Sequence, residues 1–195
     1  MRDNLFHNIA NLFRLSQKHL QSPVKEMSTE TLNENFGDGQ AIRRFVTPIA
    51  VTLAAASAVS SLLWGSEMNF GAMVYGILTS AIEPFIIYYL VKVLSCKVFR
   101  KFGIEEDTEE KAQIVTMQLM LLYFAVTFVC SILPGARLLL CFYVYAFYML
   151  WQMAGDFLRI SDERRLSFML SEMAICAVSY VIALLLLNVI APKHP

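Results

Sequence analysis

Five apolar stretches set the pattern of this chain: residues 45–64, 71–94, 114–132, 138–158 and 168–190. At 1.5 Å per helical residue each comes close to the roughly 30 Å of a bilayer's hydrocarbon core. The pattern predicts an all-α integral membrane bundle of five transmembrane helices. A tail, residues 1–44, precedes it, and a short external tail, residues 191–195, follows. Within the first tail Leu5, Phe6, Ile9, Leu12 and Phe13 recur at helical spacing, with Asn8, Asn11 and Arg14 on other faces. That predicts one amphipathic helix, which either lies in the headgroup plane as a membrane-surface element or docks on the end of the bundle. Ser22 and Pro23 read as the cap and first residue of a second short helix, and residues 33–40 as a loop. No apolar run precedes Phe45, so no secretory signal is expected.

The spans differ in what they carry. In the first, Ala50, Ala54 and Ala58 repeat every four residues, as do Ser57 and Ser61. In the second, Ala72, Gly76 and Ser80 form a matching row. Small residues at this spacing let helix backbones approach closely, within one chain or between copies. Glu83 lies three residues beyond Ser80 on the same side, which points its carboxyl into the bundle, and Pro84 predicts a kink beside it. A carboxylate at that depth costs about 3 kcal/mol on insertion scales, so a partner is expected: Thr79, Ser80 or a tyrosine. Gln118, Asp156 and Glu172 add polar groups toward one half of the later spans. The fourth span is rich in aromatics (Phe142, Tyr143, Tyr145, Phe147, Tyr148, Trp151), which read as packing, with a ligand-stacking surface as the alternative.

Polar loops are expected at 95–113 and 159–167, with Asp107 and Glu110 at capping-box spacing before the third span. Thirteen of the 16 Lys and Arg fall in the N-terminal tail and these two loops; Lys92 lies inside the second span, and only Arg137 and Lys193 fall on the other side. The positive-inside rule then puts the N-terminus in the cytoplasm and the C-terminus outside, with Lys92 snorkelling to the near surface.

Composition agrees with membrane class: 57% hydrophobic residues, 16% charged and no formal net charge, which gives nothing to favour nucleic acid as a partner. Cys96, Cys130, Cys141 and Cys176 show no CxxC spacing and read as small apolar residues, with a Cys130–Cys141 bridge as the alternative. His7, His19 and His194 form no metal-ligand cluster. No Gly-x-Ser-x-Gly elbow and no paired intramembrane aspartates are present. No enzyme activity and no cofactor are expected.

The acidic loop Glu105 to Glu110, the span end Ile132-Leu133-Pro134-Gly135, the Tyr-rich span through Tyr145 and Tyr148, and Gly155 followed by Arg164 and Arg165 together resemble the Yip (Ypt-interacting protein) membrane domain. Pro23-x-x-Glu26 resembles the element that precedes the first span in bacterial members. The resemblance covers roughly residues 20 to 190. It implies a five-helix membrane domain without known catalysis; eukaryotic relatives bind Rab-type GTPases and bacterial relatives lie in the inner membrane. The chain lacks the Asp-Leu-x-Gly-Pro element of eukaryotic members, which turns the implication away from GTPase binding and toward the bacterial inner membrane. Two functions follow as expectations. One is a scaffold that organises lipids or protein partners through its tail and loops. The other is a small ion- or proton-coupled transporter using Glu83, with Gln118, Asp156 and Glu172 along the route.

Overall fold

A computed structural model describes residues 8–11, 13–14, 41–64, 70–133 and 143–190. The described residues are helical apart from short connections. Helix α1 is Ile42–Trp64, α2 Phe70–Lys101, α3 Thr108–Ile132, α4 Val144–Gln152 with a wide continuation Met153–Phe157, and α5 Asp162–Ile190. Four of these, α1, α2, α3 and α5, are long and apolar enough to cross a membrane, which makes this a multi-pass membrane protein. The fourth expected span, 138–158, is described only from Tyr143 onward, so the count of five lies partly outside the described residues.

Local chemistry explains how the helices begin and end. The first turn of α1, Ile42–Val46, is a π-helix, and Thr47 returns both its amide and its hydroxyl to the Ile42 carbonyl, the latter at 2.9 Å. Pro48 follows, and a widened turn is one way to accommodate a residue that has no amide to donate and whose ring crowds the preceding turn. Pro84 sits inside α2 without interrupting it, so the expected kink does not break the helix. That helix ends in a Schellman motif: Ile104 N–H bonds the Phe99 carbonyl and Gly103 N–H the Arg100 carbonyl. Gly103 has φ +82°, a conformation that costs a side-chain-bearing residue energy, and Ile104 folds back into the core.

The polar loops are much shorter than expected. Residues 95–101 complete α2, and 108–113 and 162–167 open α3 and α5, leaving 102–107 and 158–161 as connections. The reason is amphipathicity. Ser95 and Phe99 are fully buried while Lys97, Arg100 and Lys101 stay exposed, so the helix continues past the apolar stretch on a half-buried face. The Asp107–Glu110 capping box does not form. Asp107 is left-handed (φ 52°, ψ 33°) and makes no side-chain cap bond, since a capping side chain needs the extended backbone that aims it at the first amides. Thr108 Oγ instead donates to Ile104 O and Glu105 O.

Two ends of the bundle can be told apart. Trp64 Nε1 donates to the Ile132 carbonyl at 2.9 Å, so α1 and α3 finish together and satisfy one of the orphan carbonyls of a helix terminus. At the opposite end, the loop end, Phe168 packs on Phe99 and Phe102, and the Arg164 guanidinium lies 5.2 Å over the Phe102 ring. Arg165 donates to Ile160 O, pairs with Asp162 at 2.9 Å, and lays its guanidinium where a Gly155 side chain would stand. Gly155 therefore has a packing role in the wide turn that closes α4. Within residues 41–190, every described Lys and Arg lies at the loop end or, for Lys92, within about three turns of it.

Helix α2 packs on α1, α3 and α5, whereas α3 is the most enclosed: 61% of its apolar window is buried against 22% for α2 and α5. A core of Phe45, Ile49 and Leu53 from α1, Ile87 and Val91 from α2, and Met117, Leu121 and Phe124 from α3 joins the first three helices. The outward faces stay apolar, as at Leu184, Leu185 and Val189, which suits a bundle solvated by lipid. Of the two expected small-residue rows, the contact observed pairs Gly76 with Ser57: a Cβ on Gly76 would meet Ser57 Oγ at 2.9 Å. Ala50 is buried, Ala54, Ala58 and Ser80 are half-buried, and Ala72 is exposed.

The tail is described only at residues 8–11 and 13–14, which are helical; Leu5, Phe6 and Leu12 lie outside the described residues, and Ile9 is half-buried. The Phe13 ring stands edge-on to Phe124 and Phe128, with centroids 5.4 and 5.3 Å apart. Phe124 is eight residues, about 12 Å, from the end of α3, so Phe13 meets the side of the bundle rather than its end. Its ring remains 40% exposed, which leaves one side open to lipid. Phe13→Ala is expected to raise hydrogen exchange and protease cleavage in residues 8–14 while the melting of the bundle stays within about 0.5 kcal/mol of native, the range of a peripheral truncation. Unchanged exchange in the tail would show that the ring contacts do not hold it.

The α1–α2 contact gives a sharper expectation. Gly76→Ala should destabilise the bundle by about 1 kcal/mol through crowding of Ser57, and adding Ser57→Ala should restore most of that loss. Denaturation of the four proteins in a mild detergent checks it; additive effects would mean that the helices separate for another reason.

Candidate functional site

On α2, Glu83, Ile87, Val91 and Ser95 follow one another at four-residue steps and therefore share a face. The first three line a cavity of about 640 Å³ whose other walls come from α3, α4 and α5. Helices α3 and α5 each pack closely on α2, and the cavity fills the space between them. Its size is within the ~300–1,000 Å³ of ligand pockets generally.

Polar groups gather around Glu83. The Tyr123 hydroxyl from α3 hydrogen-bonds its carboxyl. Of the partners anticipated, this is the tyrosine; Thr79 turns its hydroxyl back to the carbonyls of Tyr75 and Gly76 in its own helix. Tyr143 at the start of α4 and Tyr180 on α5 both lie close enough to Glu83 to feel its charge. Tyr143 also shares a 3.4 Å hydroxyl contact with Thr127. Tyr180 is 45% exposed while lining the cavity, so it stands where the cavity opens to the lipid-facing surface of α5. Toward the loop end the walls become apolar: Ile87, Val91, Leu119, Met120, Ala146 and Met173. Thr116 is there too, but its hydroxyl is bonded to Ala112 O at 2.7 Å.

One turn beyond Val91, Ser95 Oγ donates to Glu172 Oε2 at 2.6 Å. Both residues are fully buried, and Glu172 Oε1 has no hydrogen-bond partner. This second carboxyl is about 18 Å along α2 from Glu83, with Ile87 and Val91 between. The remaining expected groups are elsewhere. Gln118 is buried, with Oε1 unpartnered, and does not line the cavity; Asp156 is exposed in the wide turn after α4. Pro84 is buried beside Glu83. Lys92, expected to snorkel, donates to Gln113 Oε1 at 2.8 Å. The structure thus brings Glu83 together with tyrosines rather than with the other three candidates.

Cys96 and Cys176 are thiols; Cys141 lies outside the described residues, and with it the alternative Cys130–Cys141 bridge. Cys130 and Cys176 line the cavity. Among the described residues no group of three His, Cys, Asp or Glu side chains is placed to hold a metal ion. A second depression of about 580 Å³ is open to water at the loop end, walled by Arg100, Glu105, Asp107 and Glu110 among others, and is a solvated charged surface.

Tyr123, Tyr180 and Ser95 were not anticipated as site residues. A signal for the first existed: Thr116, Tyr123, Thr127 and Cys130 recur at seven, four and three residues, a polar stripe at helical spacing along an otherwise apolar helix. Glu172, Cys176 and Tyr180 form the corresponding stripe on α5.

Comparisons with protein-family models, with curated proteins and with solved structures find no match to this chain.

Proposed function

We propose that this chain is a non-enzymatic, five-span membrane protein of the Yip type that organises lipids or protein partners of the bacterial inner membrane. Its N-terminus is cytoplasmic and its C-terminus outside. The crowding of basic residues at the loop end supports that orientation. Support for the fifth crossing comes from α4, whose described turns pack on α5 as the second half of a span returning to the loop end would. The loop end, and the tail outside its residues 8–14 that lie along the side of the bundle, are the surfaces offered to partners, and the Yip assignment itself rests on its short motifs.

The observation that carries the choice of function is the separation of the intramembrane polar groups. An ion or proton route needs them in succession, with water or hydroxyls between. Here Glu83 is tied to Tyr123, Glu172 is tied to Ser95 about 18 Å away, and the cavity walls in the interval are aliphatic, with the one hydroxyl there, that of Thr116, turned back to Ala112 O. Gln118 and Asp156 stand outside that line.

Reconstituted protein is expected to pass no protons or monovalent cations above empty vesicles, and Glu83→Gln is expected to behave identically. Native flux abolished by Glu83→Gln would replace the scaffold reading with the transporter. In parallel, removing residues 1–20 should change which proteins co-purify from native membranes; an unchanged set would remove the tail from the proposal.

A further inference from the structure

We propose that the cavity beside Glu83 is a binding site for a lipophilic organic cation, one with an apolar body and a single positive centre that enters from the bilayer past Tyr180. The inference goes beyond the scaffold reading and needs no translocation.

The cavity is amphipathic along its length. At one end stand a carboxyl and three tyrosines, Tyr123, Tyr143 and Tyr180; toward the loop end the walls are aliphatic. A ligand with matched ends fills such a space, and one that is polar throughout does not. The sign of the polar end follows from the lining. Glu83 is the one acidic residue among the described lining residues, and no Lys, Arg or His is among them. An anionic head would meet a carboxyl with no countercharge. A cation gives the carboxyl, bonded among the described residues to Tyr123 alone, the countercharge that the described lining lacks, and tyrosine faces stabilise it further through their ring quadrupoles.

Access is the second part of the case. Tyr180 lines the cavity and is also 45% exposed, one turn from the exposed Leu184 on the same face of α5. The opening therefore faces lipid, where a compound must already be lipophilic to arrive. The closed side is the loop end, where Glu172 and Ser95 are fully buried below the aliphatic walls.

Two ions of one shape and opposite charge, tetraphenylphosphonium and tetraphenylborate, test this directly on the full chain in zwitterionic lipid nanodiscs, with empty discs subtracted. Saturable binding of the phosphonium at one site per chain is expected, with no displacement by the borate. Glu83→Gln should weaken binding by roughly tenfold or more, as loss of a charged contact in an apolar site does. Tyr180→Phe should bind within about twofold of native and Tyr180→Leu several-fold more weakly, because the ring face and not the hydroxyl meets the cation. Absence of saturable binding, equal binding of the borate, or an affinity unchanged in Glu83→Gln would each overturn the proposal. If Glu83→Gln fails to fold, the charge discrimination of the native chain and the Tyr180 pair decide alone. A negative result would leave the flux and co-purification outcomes untouched, so the two readings fail separately.

Discussion

A carboxyl group inside a bilayer has no water to turn to, and Glu83 depends on Tyr123 to meet it. That one hydrogen bond sets requirements on three helices. Tyr123 must project from mid-span of α3, the most enclosed helix, into the space between α2 and α5. Helix α2 must present Glu83 toward it, which fixes the rotation of α2 and sends Ile87, Val91 and Ser95 along the same line. Ser95 then meets Glu172 and fixes α5. Two carboxyls, each held by one hydroxyl, thus orient the bundle in a medium where apolar packing between helices has little preference over lipid.

How much of this is legible in the sequence depends on what each signal measures. Hydropathy registers the part of a helix that sits in hydrocarbon, and the four long helices were found that way. It is blind to the turns beyond, because residues such as Lys97, Arg100 and Lys111 reach water while Phe99 and Ala112 on the other face stay buried. The supposed charged loops are therefore mostly helix. The capping box failed for a related reason: spacing names residues that are able to cap, but the left-handed backbone at Asp107 is imposed by the tight return from Gly103 to Thr108.

The site was half legible. An acidic residue among twenty apolar ones announces itself, and a tyrosine was among the partners anticipated for Glu83. Which tyrosine could not be read, because eight are present and the choice depends on how α2 and α3 are rotated against each other. Grouping Gln118, Asp156 and Glu172 with Glu83 treated depth along the membrane as proximity. Helical phase separates them: Glu172 faces Ser95 a full three turns of α2 away, and Gln118 points off the cavity face of α3. The small-residue rows show the same limit. Two rows of suitable spacing exist on α1, and the serine row, through Ser57, receives Gly76.

The cavity lies between two packed ends of the bundle. At the loop end, aromatic contacts among Phe99, Phe102 and Phe168, the Arg164 stack, and Arg165 seated on Gly155 bind α2, α4 and α5 into one cluster. Toward the Trp64 end, α3 is held to α1 through the indole of Trp64, while the described part of α5 turns Leu184, Leu185 and Val189 outward. The same stretch of α5 turns Ala183 and Leu187 inward, both buried, so the bundle is packed at both ends and the cavity opens between them, around the carboxyl of Glu83. In a soluble protein such a gap would lose apolar burial with nothing in return; in a bilayer its aliphatic walls can be solvated by lipid, so the cost is small. The hydroxyls that line it, bonded to Glu83 and to each other, then keep the polar end from collapsing onto the aliphatic one.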